Sequence, residues 1–491
     1  MTVCCKVPRS QTGISFIQAD SFSMLITAFT LRNGGNPDKY RAMSKSHGRR
    51  RIGRGNKGQR SRHGGSFGVL KALSLLAASA GGLLLYQHYA SETEGGRTAI
   101  AQAASVPLPD VQPWKPVVDY DALDARLDRL MAERDMTGLA IAVVENGKLA
   151  FIRGYGLASE ETGEAVNEHT VFRWASLSKG VAGTMAAKLA AEGKLNLDRP
   201  VASYGTSLRL PGGAERLATV SDVLSHQLGL WKNAYDGKLE GGGDPVAIRH
   251  ELAGLTLICA PGTCHSYQNI AYDTAGEVIS KVTGRSYAET VRTQLFQPLG
   301  MTGASIGLGD LTCARSWARP YRNGYPVKLT DAYYKVPAAA GVNSNIIDMA
   351  RWMQAQMGEE PSVLSPEVLK TIHDPLVGTL RPYGSTALGR ALHDPGYGLG
   401  WRSFTYAGHR LVGHSGAVAG YRSTMMFDPE TRTGIAMLWN SESSKPFRAQ
   451  LELFDLYYGL PFQNWMELSP LPGQPGTPMR VAANGRQWAA P

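Results

Sequence analysis

Apolar residues follow two different periods along this chain, and the order of these periods predicts the fold. Between Tyr120 and Met131 they recur on one helical face, which predicts an amphipathic helix. The runs 139–144 and 148–155 are instead rich in β-forming residues, and they flank Asn146-Gly147. Asn-Gly between two apolar runs is typical of a hairpin turn. The pattern therefore predicts two antiparallel strands after the first helix.

The middle of the chain carries mainly helical periodicity, and its last third returns to strands. Helices are predicted after Lys179 up to a stop at Gly193, and then at 271–282, 287–296 and 345–357. The glycine-rich stretch 236–244 predicts a mobile surface loop. Three strand-like runs close the pattern, at 411–418, 421–427 and 434–439.

This order of elements predicts an α/β fold of the α+β kind. The two chain ends would supply one antiparallel sheet of about five strands flanked by helices, and the middle would form a mostly helical second lobe. Such a domain would occupy residues 117–465, and the Pro- and Gly-containing tail 466–491 is predicted to be disordered.

Charge changes the interpretation of the first hundred residues. The net charge of +10 is concentrated in the basic run from Lys39 to Arg62, and an apolar run with one lysine follows at 69–86. Basic residues before an apolar segment and acidic residues after it are typical of export or anchoring at a membrane. We therefore predict a disordered basic region at 1–66, a signal or anchor at 67–88 and a linker at 89–116.

Two alternatives for this region stay open. Ala101-Gln102-Ala103 has the form of a cleavage site but lies far from the apolar run, so cleavage and an uncleaved anchor are both compatible with it. A buried core helix is the other interpretation of 67–88. Export would place the domain on the periplasmic face of a bacterial inner membrane or outside the cell, and the membrane contact makes nucleic-acid binding by the basic run the less favoured hypothesis.

The five cysteines are too few for a disulfide framework. Cys259 and Cys264 flank a short turn, where either a local bridge or two free thiols fit the sequence. The histidines lack the spacing of a zinc site, so no metal and no other cofactor is predicted.

Candidate chemistry begins with Ser176 and Lys179, which form a Ser-x-x-Lys motif at the start of a predicted helix. Residues three apart share a helix face, so the amine can reach the hydroxyl. A serine needs a neighbouring base to become a nucleophile, and burial makes a lysine such a base. The alternative is a solvated serine and lysine, because so short a motif is common by chance.

Two further triplets supply groups that would complete such a site. Tyr267-Gln268-Asn269 offers a phenol for proton transfer and an amide for a substrate. Its counterpart Tyr321-Arg322-Asn323 has the same form but no helix after it, and we set it aside. His414-Ser415-Gly416 lies near the start of the three-strand group, in a strand whose edge can pair with an extended substrate. Taken alone, Tyr267 and His414 are equally compatible with structural roles, and His226 is predicted to be a structural histidine.

Together the three motifs resemble, in order, those of the serine β-lactamase and penicillin-binding protein superfamily. Longer strings resemble its class C β-lactamase branch, which includes D-aminopeptidases, D,D-carboxypeptidase-like proteins and esterases. These strings are 224–226, 298–301, 348–352, 397–401 and 420–423. The resemblance covers about residues 120–458.

This resemblance implies a role for each residue. Ser176 would be acylated, and Lys179 and Tyr267 would exchange protons with it, without the resemblance deciding which is the base. Asn269 and the strand residues His414, Ser415, Gly416 and Ala417 would bind the substrate. The backbone N–H groups of Ser176 and Ala417 would form the oxyanion hole.

One departure affects the expected substrate. His414 stands where β-lactamases of this branch generally carry a lysine that holds the lactam carboxylate, and a histidine is mostly neutral at pH 7. The sequence therefore favours an exported or anchored serine hydrolase acting on an ester, an amide or a cell-wall peptide. The alternatives are a class C β-lactamase and a non-catalytic relative that binds cell-wall peptide.

Overall fold

The computed structural model describes residues 116–468. The predicted basic region 1–66, the signal or anchor 67–88, nearly all of the linker 89–116 and residues 469–491 of the predicted tail lie outside that range. Met466 and Leu468 are buried, so the packed region continues to Leu468 rather than ending at 465. Among the described residues no helix combines the length and the apolar character that crossing a bilayer requires.

The helices follow one another in chain order. They are α1 (Tyr120–Met131), α2 (Ser178–Ala191), α3 (Val220–Leu224), α4 (Asp236–Glu240), α5 (Pro245–Glu251), α6 (Thr274–Thr283), α7 (Tyr287–Val291), α8 (Leu308–Cys313), α9 (Pro337–Ala340), α10 (Ile346–Gln356), α11 (Pro366–His373), α12 (Ala387–Ala391) and α13 (Pro446–Tyr458).

The strands form one large sheet and two small ones. They are β1 (Gly138–Glu145), β2 (Lys148–Ser159), β3 (Glu164–Ala165), β4 (Phe172–Arg173), β5 (Ser305–Ile306), β6 (Tyr321–Arg322), β7 (Tyr325–Pro326), β8 (Val342–Ser344), β9 (Val377–Gly378), β10 (His393–Tyr397), β11 (Arg402–Tyr406), β12 (His409–Val418), β13 (Tyr421–Asp428) and β14 (Thr433–Trp439).

The large sheet is antiparallel and joins the two ends of the domain, as the sequence predicts. Its order is β3-β2-β1-β14-β13-β12-β11-β10-β9, and β1 pairs with β14 in the register Leu139↔Trp439. It has nine strands rather than about five. Four strands are additional to the prediction. β3 and β9 are only two residues long, and β10 contains Asp394, Pro395 and Gly396, which are poor strand formers. The fourth, β11, has five residues and was not identified in the sequence.

Alternation along β1 builds a core on each face of the sheet. Leu139, Ile141 and Val143 point into the core that α1 and α13 cover. The residues between them point into the larger core, which includes α2 and α10. Side chains of a strand point alternately to opposite faces, so a strand buried on both faces reads as one apolar run.

Three boundaries in the helical middle differ from the prediction. Helix α6 begins at Thr274 rather than at residue 271, and α7 ends at Val291, where a π-helical turn continues to Phe296. The stretch 236–244 is not simply a surface loop, because Asp236–Glu240 forms α4. Leu239 is fully buried there, and its burial overrides the loop character of the glycines that follow.

Cys259 and Cys264 form a disulfide, which decides between the two possibilities that the sequence left open. The bridge closes the turn that leads to Tyr267. The bridge links two residues of the same loop, 256–269, and so restricts the backbone that leads to the tyrosine.

Helix α2 packs without a gap against the turn between β10 and β11. A Cβ built on Gly183 would lie 1.9 Å from the carbonyl oxygen of Leu399, and one built on Gly180 would lie 2.8 Å from the ring of Trp401. Only glycine allows this approach, and the approach keeps the first turn of α2 away from water.

Gly183→Ala tests this packing. Because the obstacle is a backbone atom, we expect the helix to shift and the free energy of unfolding to fall by about 1–3 kcal/mol or more. Gly309→Ala is the matched control, since Gly309 lies in α8 with no atom within 4 Å of the added Cβ. Urea unfolding measures both variants, and equal stability of the two would contradict the packing argument.

Candidate active site

The candidate nucleophile lies in a short 3₁₀ turn, Ala175–Leu177, that continues directly into α2. Ala175 has φ = +48°, in the left-handed region that residues other than glycine rarely adopt. Such a conformation costs about 1–3 kcal/mol and persists where the surroundings enforce it. Ser423 of β13 contributes here by donating a hydrogen bond to the Trp174 carbonyl at 2.5 Å.

Lys179 is fully buried, and its amine meets three acceptors. Nζ lies 3.3 Å from Ser176 Oγ, 2.7 Å from Asn269 Oδ1 and 3.1 Å from the carbonyl oxygen of Ala339. A neutral amine has two hydrogens and one lone pair. It can therefore donate to Asn269 and Ala339 while accepting the proton of the serine, which is the arrangement that a general base requires.

Burial sets the protonation state of this amine. The pKa of Lys179 is lowered to about 7, chiefly by loss of hydration; the carboxylate of Asp236 opposes this effect and the positive charge of Arg402 adds to it. The amine is thus partly neutral at physiological pH, whereas an exposed lysine is almost fully protonated.

Asn269 connects Lys179 to Asp236. Its Oδ1 accepts from Lys179, and its Nδ2 donates to Asp236 Oδ2 at 2.6 Å. These two bonds fix the orientation of the amide, and one Nδ2 hydrogen stays free for a substrate carbonyl. Asp236 was not identified from the sequence, because no motif marks it and it lies in the stretch that was predicted to be a surface loop.

Tyr267 lies on the other side of the amine. Lys179 Nζ is 4.7 Å from the centroid of its ring. Burial raises the pKa of Tyr267 to about 12, against the opposing effect of a hydrogen bond with Ser176. The phenol therefore keeps its proton at neutral pH and can donate it, while Lys179 is the group whose pKa suits a base.

A buried hydrogen-bond relay forms the wall behind Tyr267. The N–H of Gln268 donates to His226 Nδ1 at 3.1 Å, so the neutral imidazole carries its proton on Nε2. That nitrogen lies 3.2 Å from Tyr397 Oη, which in turn lies 2.9 Å from His414 Nε2. His414 Nδ1 is 2.8 Å from the carbonyl oxygen of Ser415 and donates to it.

When both histidines are neutral, every hydrogen bond of this relay is donated in the same direction, from His226 through Tyr397 and His414 to the Ser415 carbonyl. Burial and neighbouring positive charges lower the pKa of His226 and of His414 well below the usual value, which agrees with that assignment. The prediction that His226 is structural is confirmed. His414 is buried, and both ring nitrogens are engaged in hydrogen bonds within the protein. Its contact with a substrate stays a prediction.

The neighbours of His414 do lie along the candidate cleft. A Cβ on Gly416 would be 2.1 Å from the Trp174 carbonyl oxygen and 3.0 Å from Ser176 N, so the strand passes directly beside the nucleophile. Ser415 is half-buried and Ala417 is exposed. Strand β12 pairs with β11 only up to Gly413, so its other edge is open from there onward.

Arg402 is a site residue that the sequence analysis missed. Its guanidinium carbon lies 5.8 Å from the ring centroid of Tyr267 and 5.1 Å from that of Tyr397. Within residues 116–468 no carboxylate pairs with it. The signal was available, because Arg402 directly follows the string 397–401, but only the folded sheet brings it next to the tyrosine.

The triplet Tyr321-Arg322-Asn323, which was set aside in the sequence analysis, lies outside the candidate site. Tyr321 belongs to β6, and its hydroxyl accepts a hydrogen bond from the N–H of Glu160 at 2.7 Å. The structure therefore brings together Ser176, Lys179, Tyr267 and Asn269, and excludes Tyr321 from the group.

The family follows from comparison with known proteins. A family model described as Beta-lactamase matches residues 123–459, more than half of the chain. The chain belongs to this family. The match includes the Ser-x-x-Lys motif, the tyrosine triplet and the strand triplet described above.

Curated relatives differ in what their names describe. Esterase EstB of Burkholderia gladioli is 32% identical over 242 residues, 45% of this chain and 59% of EstB. Protein flp of Staphylococcus aureus is 24% identical over 327 residues, 65% of this chain and 63% of flp. Penicillin-binding protein 4 of Amycolatopsis lactamdurans is 27% identical over 353 residues, 68% of this chain and 88% of that protein. The chain thus spans about six tenths of the first two relatives.

Solved structures agree on the fold. The octameric penicillin-binding protein homologue from Pyrococcus abyssi matches with a TM-score of 0.63 and 26% identity, over 70% of this chain and 78% of that one. A class C beta lactamase matches with a TM-score of 0.58 and 23% identity, over 70% of this chain and 98% of that one. The predicted superfamily and fold class are confirmed.

Asp236→Asn tests the electrostatics of the site. The carboxylate raises the pKa of Lys179, so its removal lowers that pKa further, while the amide oxygen of the substituted side chain can still accept from Asn269. The neutral amine is the reactive form, hence the rate rises with pH through the Lys179 pKa. We expect this rise to move to lower pH in the variant.

The measurement is the rate at which Ser176 reacts with a fluorophosphonate between pH 5 and pH 9. Asp198→Asn, at an exposed position, is the control and keeps the profile of the parent chain. A profile in Asp236→Asn that moves to higher pH would contradict the assignment of Lys179 as base.

Proposed function

We propose that this chain is an exported or membrane-anchored serine hydrolase that forms an acyl-enzyme on Ser176. Its substrate would be an ester, an amide or a cell-wall peptide. The observation that carries the proposal is the buried amine of Lys179, 3.3 Å from the Ser176 hydroxyl, with its pKa lowered to about 7. A serine and a lysine on an exposed helix face would have neither the burial nor the lowered pKa.

The proposed first step forms a bond between Ser176 Oγ and the substrate carbonyl carbon. Lys179 takes the hydroxyl proton, and the carbonyl oxygen becomes an oxyanion between the N–H groups of Ser176 and Ala417. Loss of one such donor typically costs about 2.7–4 kcal/mol in other hydrolases. Tyr267, protonated at neutral pH, then donates its proton to the leaving group as the carbon–heteroatom bond breaks, and recovers it from Lys179.

Deacylation would reverse these roles. A water molecule replaces the leaving group, Lys179 accepts its proton, and Ser176 recovers a proton as the acyl bond is cleaved. Asn269 would hold the carbonyl of a substrate amide, distinct from the reacting carbonyl, through its free Nδ2 hydrogen. The open edge of β12 would pair with an extended substrate.

A class C type β-lactamase is the second candidate. The neutral, engaged His414 argues against efficient use of a lactam carboxylate. The Arg402 guanidinium, which pairs with no carboxylate of residues 116–468, lies on the Tyr267 side and supplies a cation there. Comparing turnover of nitrocefin with that of 4-nitrophenyl esters separates the two candidates. A preference for nitrocefin would favour the β-lactamase.

Covalent labelling of Ser176 tests the proposal. We expect one fluorophosphonate adduct, located at Ser176 by peptide mass spectrometry, and loss of ester turnover by at least ~1,000-fold in Ser176→Ala. Ser385→Ala, at an exposed serine, is the control and keeps both. Absence of the adduct would favour the non-catalytic relative that binds cell-wall peptide, and undiminished turnover in Ser176→Ala would end the proposal.

Export or anchoring is tested separately on the full chain expressed in a bacterium. We expect the domain to be accessible to protease added outside the inner membrane, and to become inaccessible when residues 67–88 are deleted. A matched deletion within the basic run 39–62 controls for loss of positive charge. An inaccessible full-length chain would contradict this localisation.

A further inference from the structure

A cavity lies at the end of β12 that follows Gly416, the residue next to the nucleophile. It has a volume of about 460 Å³, and its lining includes Ala417 and Arg173. Arg173 stands three residues before Ser176 in β4, and Ala417 lies on the strand that passes beside the nucleophile. A group bound there would therefore be connected to the reacting carbonyl by only a few bonds.

Arg173 is buried, and two nitrogens of its guanidinium have no polar partner in the described part of the chain. Only 3% of its surface is exposed, and both Nε and Nη2 are buried and make no hydrogen bond within the described residues. Its guanidinium carbon lies 4.0 Å from the ring centroid of Tyr334, a contact that offsets part of the charge but uses no N–H group. Leaving charged donors buried and unpaired is costly, so an acceptor from outside the protein would stabilise the site.

The remaining charges of the lining leave the cavity positive. Glu442 is already paired with Arg322 at 2.8 Å and lies 3.8 Å from Arg422. Glu240 accepts a hydrogen bond from Tyr333 at 2.7 Å. Neither carboxylate pairs with Arg173, and the exposed Lys328 adds another positive charge to the lining.

We propose that this cavity binds a carboxylate carried by the acyl part of the substrate, an inference that rests on the proposed function. With the carbonyl oxygen between Ser176 and Ala417, the leaving group must lie near Tyr267, which gives it a proton. The acyl chain then extends toward the opposite end of β12, where the cavity lies. A planar guanidinium fits a carboxylate with two parallel hydrogen bonds, which a spherical cation cannot match.

The test compares two esters of equal chain length that differ in one terminal group. These are 4-nitrophenyl hemiglutarate, with a terminal carboxylate, and 4-nitrophenyl valerate, with a terminal methyl. Selectivity is the ratio of their kcat/KM values, measured on the full chain. We expect the parent chain to prefer the acidic ester, and Arg173→Gln to lower the selectivity by about 10- to 100-fold, since a hydrogen bond to a charged group contributes on that scale.

Four further measurements guard against loss of folding in Arg173→Gln. Arg173→Lys keeps the charge without the fork and retains part of the selectivity. Lys328→Gln, at an exposed position, lowers it by a few-fold, and added salt lowers it in the parent chain because charge attraction is screened. Arg285→Gln, which removes an exposed arginine between α6 and α7, leaves it unchanged.

The outcomes separate this inference from the proposed function. Turnover of the valerate ester with no preference for the hemiglutarate overturns the anionic acyl site and leaves the hydrolase intact. Selectivity that is equal in the parent chain, Arg173→Gln and Lys328→Gln also overturns the site. Failure of both esters and of the fluorophosphonate to acylate Ser176 overturns the proposed function and with it this inference.

Discussion

The exclusion of water from one amine is the constraint on which the rest of the structure depends. Lys179 is fully buried at the first turn of α2, and its own carbonyl oxygen accepts a hydrogen bond from the hydroxyl of Tyr272 at 2.8 Å. The close approach of Gly180 and Gly183 to the turn between β10 and β11 seals the helix on one side. A hydrated amine would hold its proton at neutral pH and could not activate a serine.

The sheet places the other half of the site. β12 passes beside the backbone of Ser176 because Gly416 allows it, and the relay from His226 through Tyr397 to His414 fixes that strand from behind. The relay is a fully satisfied buried network, which rigidifies its surroundings. His414, which stands where β-lactamases of the class C branch generally carry a lysine, thus belongs to this structural network. The positive charges near the cleft come from Arg402 and Arg173 instead.

The sequence predicted those parts of the fold that local patterns encode. The hairpin at Asn146-Gly147, α1 and the last three strands have strong periodicity or turn chemistry. Their ends are predicted within a residue or two, except that β2 continues four residues beyond the predicted end, to Ser159. The two-residue strands were missed because so short a stretch has no period. β10 was missed because Asp394 and Pro395 argue against a strand, and only pairing with β9 and β11 makes it one.

For the site, residues within motifs were predictable and residues that act through space were not. Ser176, Lys179, Tyr267 and Asn269 stand in short strings with recognisable chemistry. Asp236 joins them only because α4 folds beneath Asn269, and Arg402 only because β11 pairs with β12 at Gly413. The position of His414 was predicted, but its partners follow from tertiary packing, which no local pattern specifies.

The most direct measurement is the pKa of Lys179 itself. Titration of the ¹⁵Nζ chemical shift in lysine-labelled protein, assigned by the signal missing in Lys179→Arg, reports the ionisation of this amine without reference to any substrate. We expect a midpoint near pH 7, because burial lowers the pKa of this amine. A midpoint near the ordinary lysine value of about 10.4 would mean that the amine stays charged at neutral pH, and would contradict its role as the base.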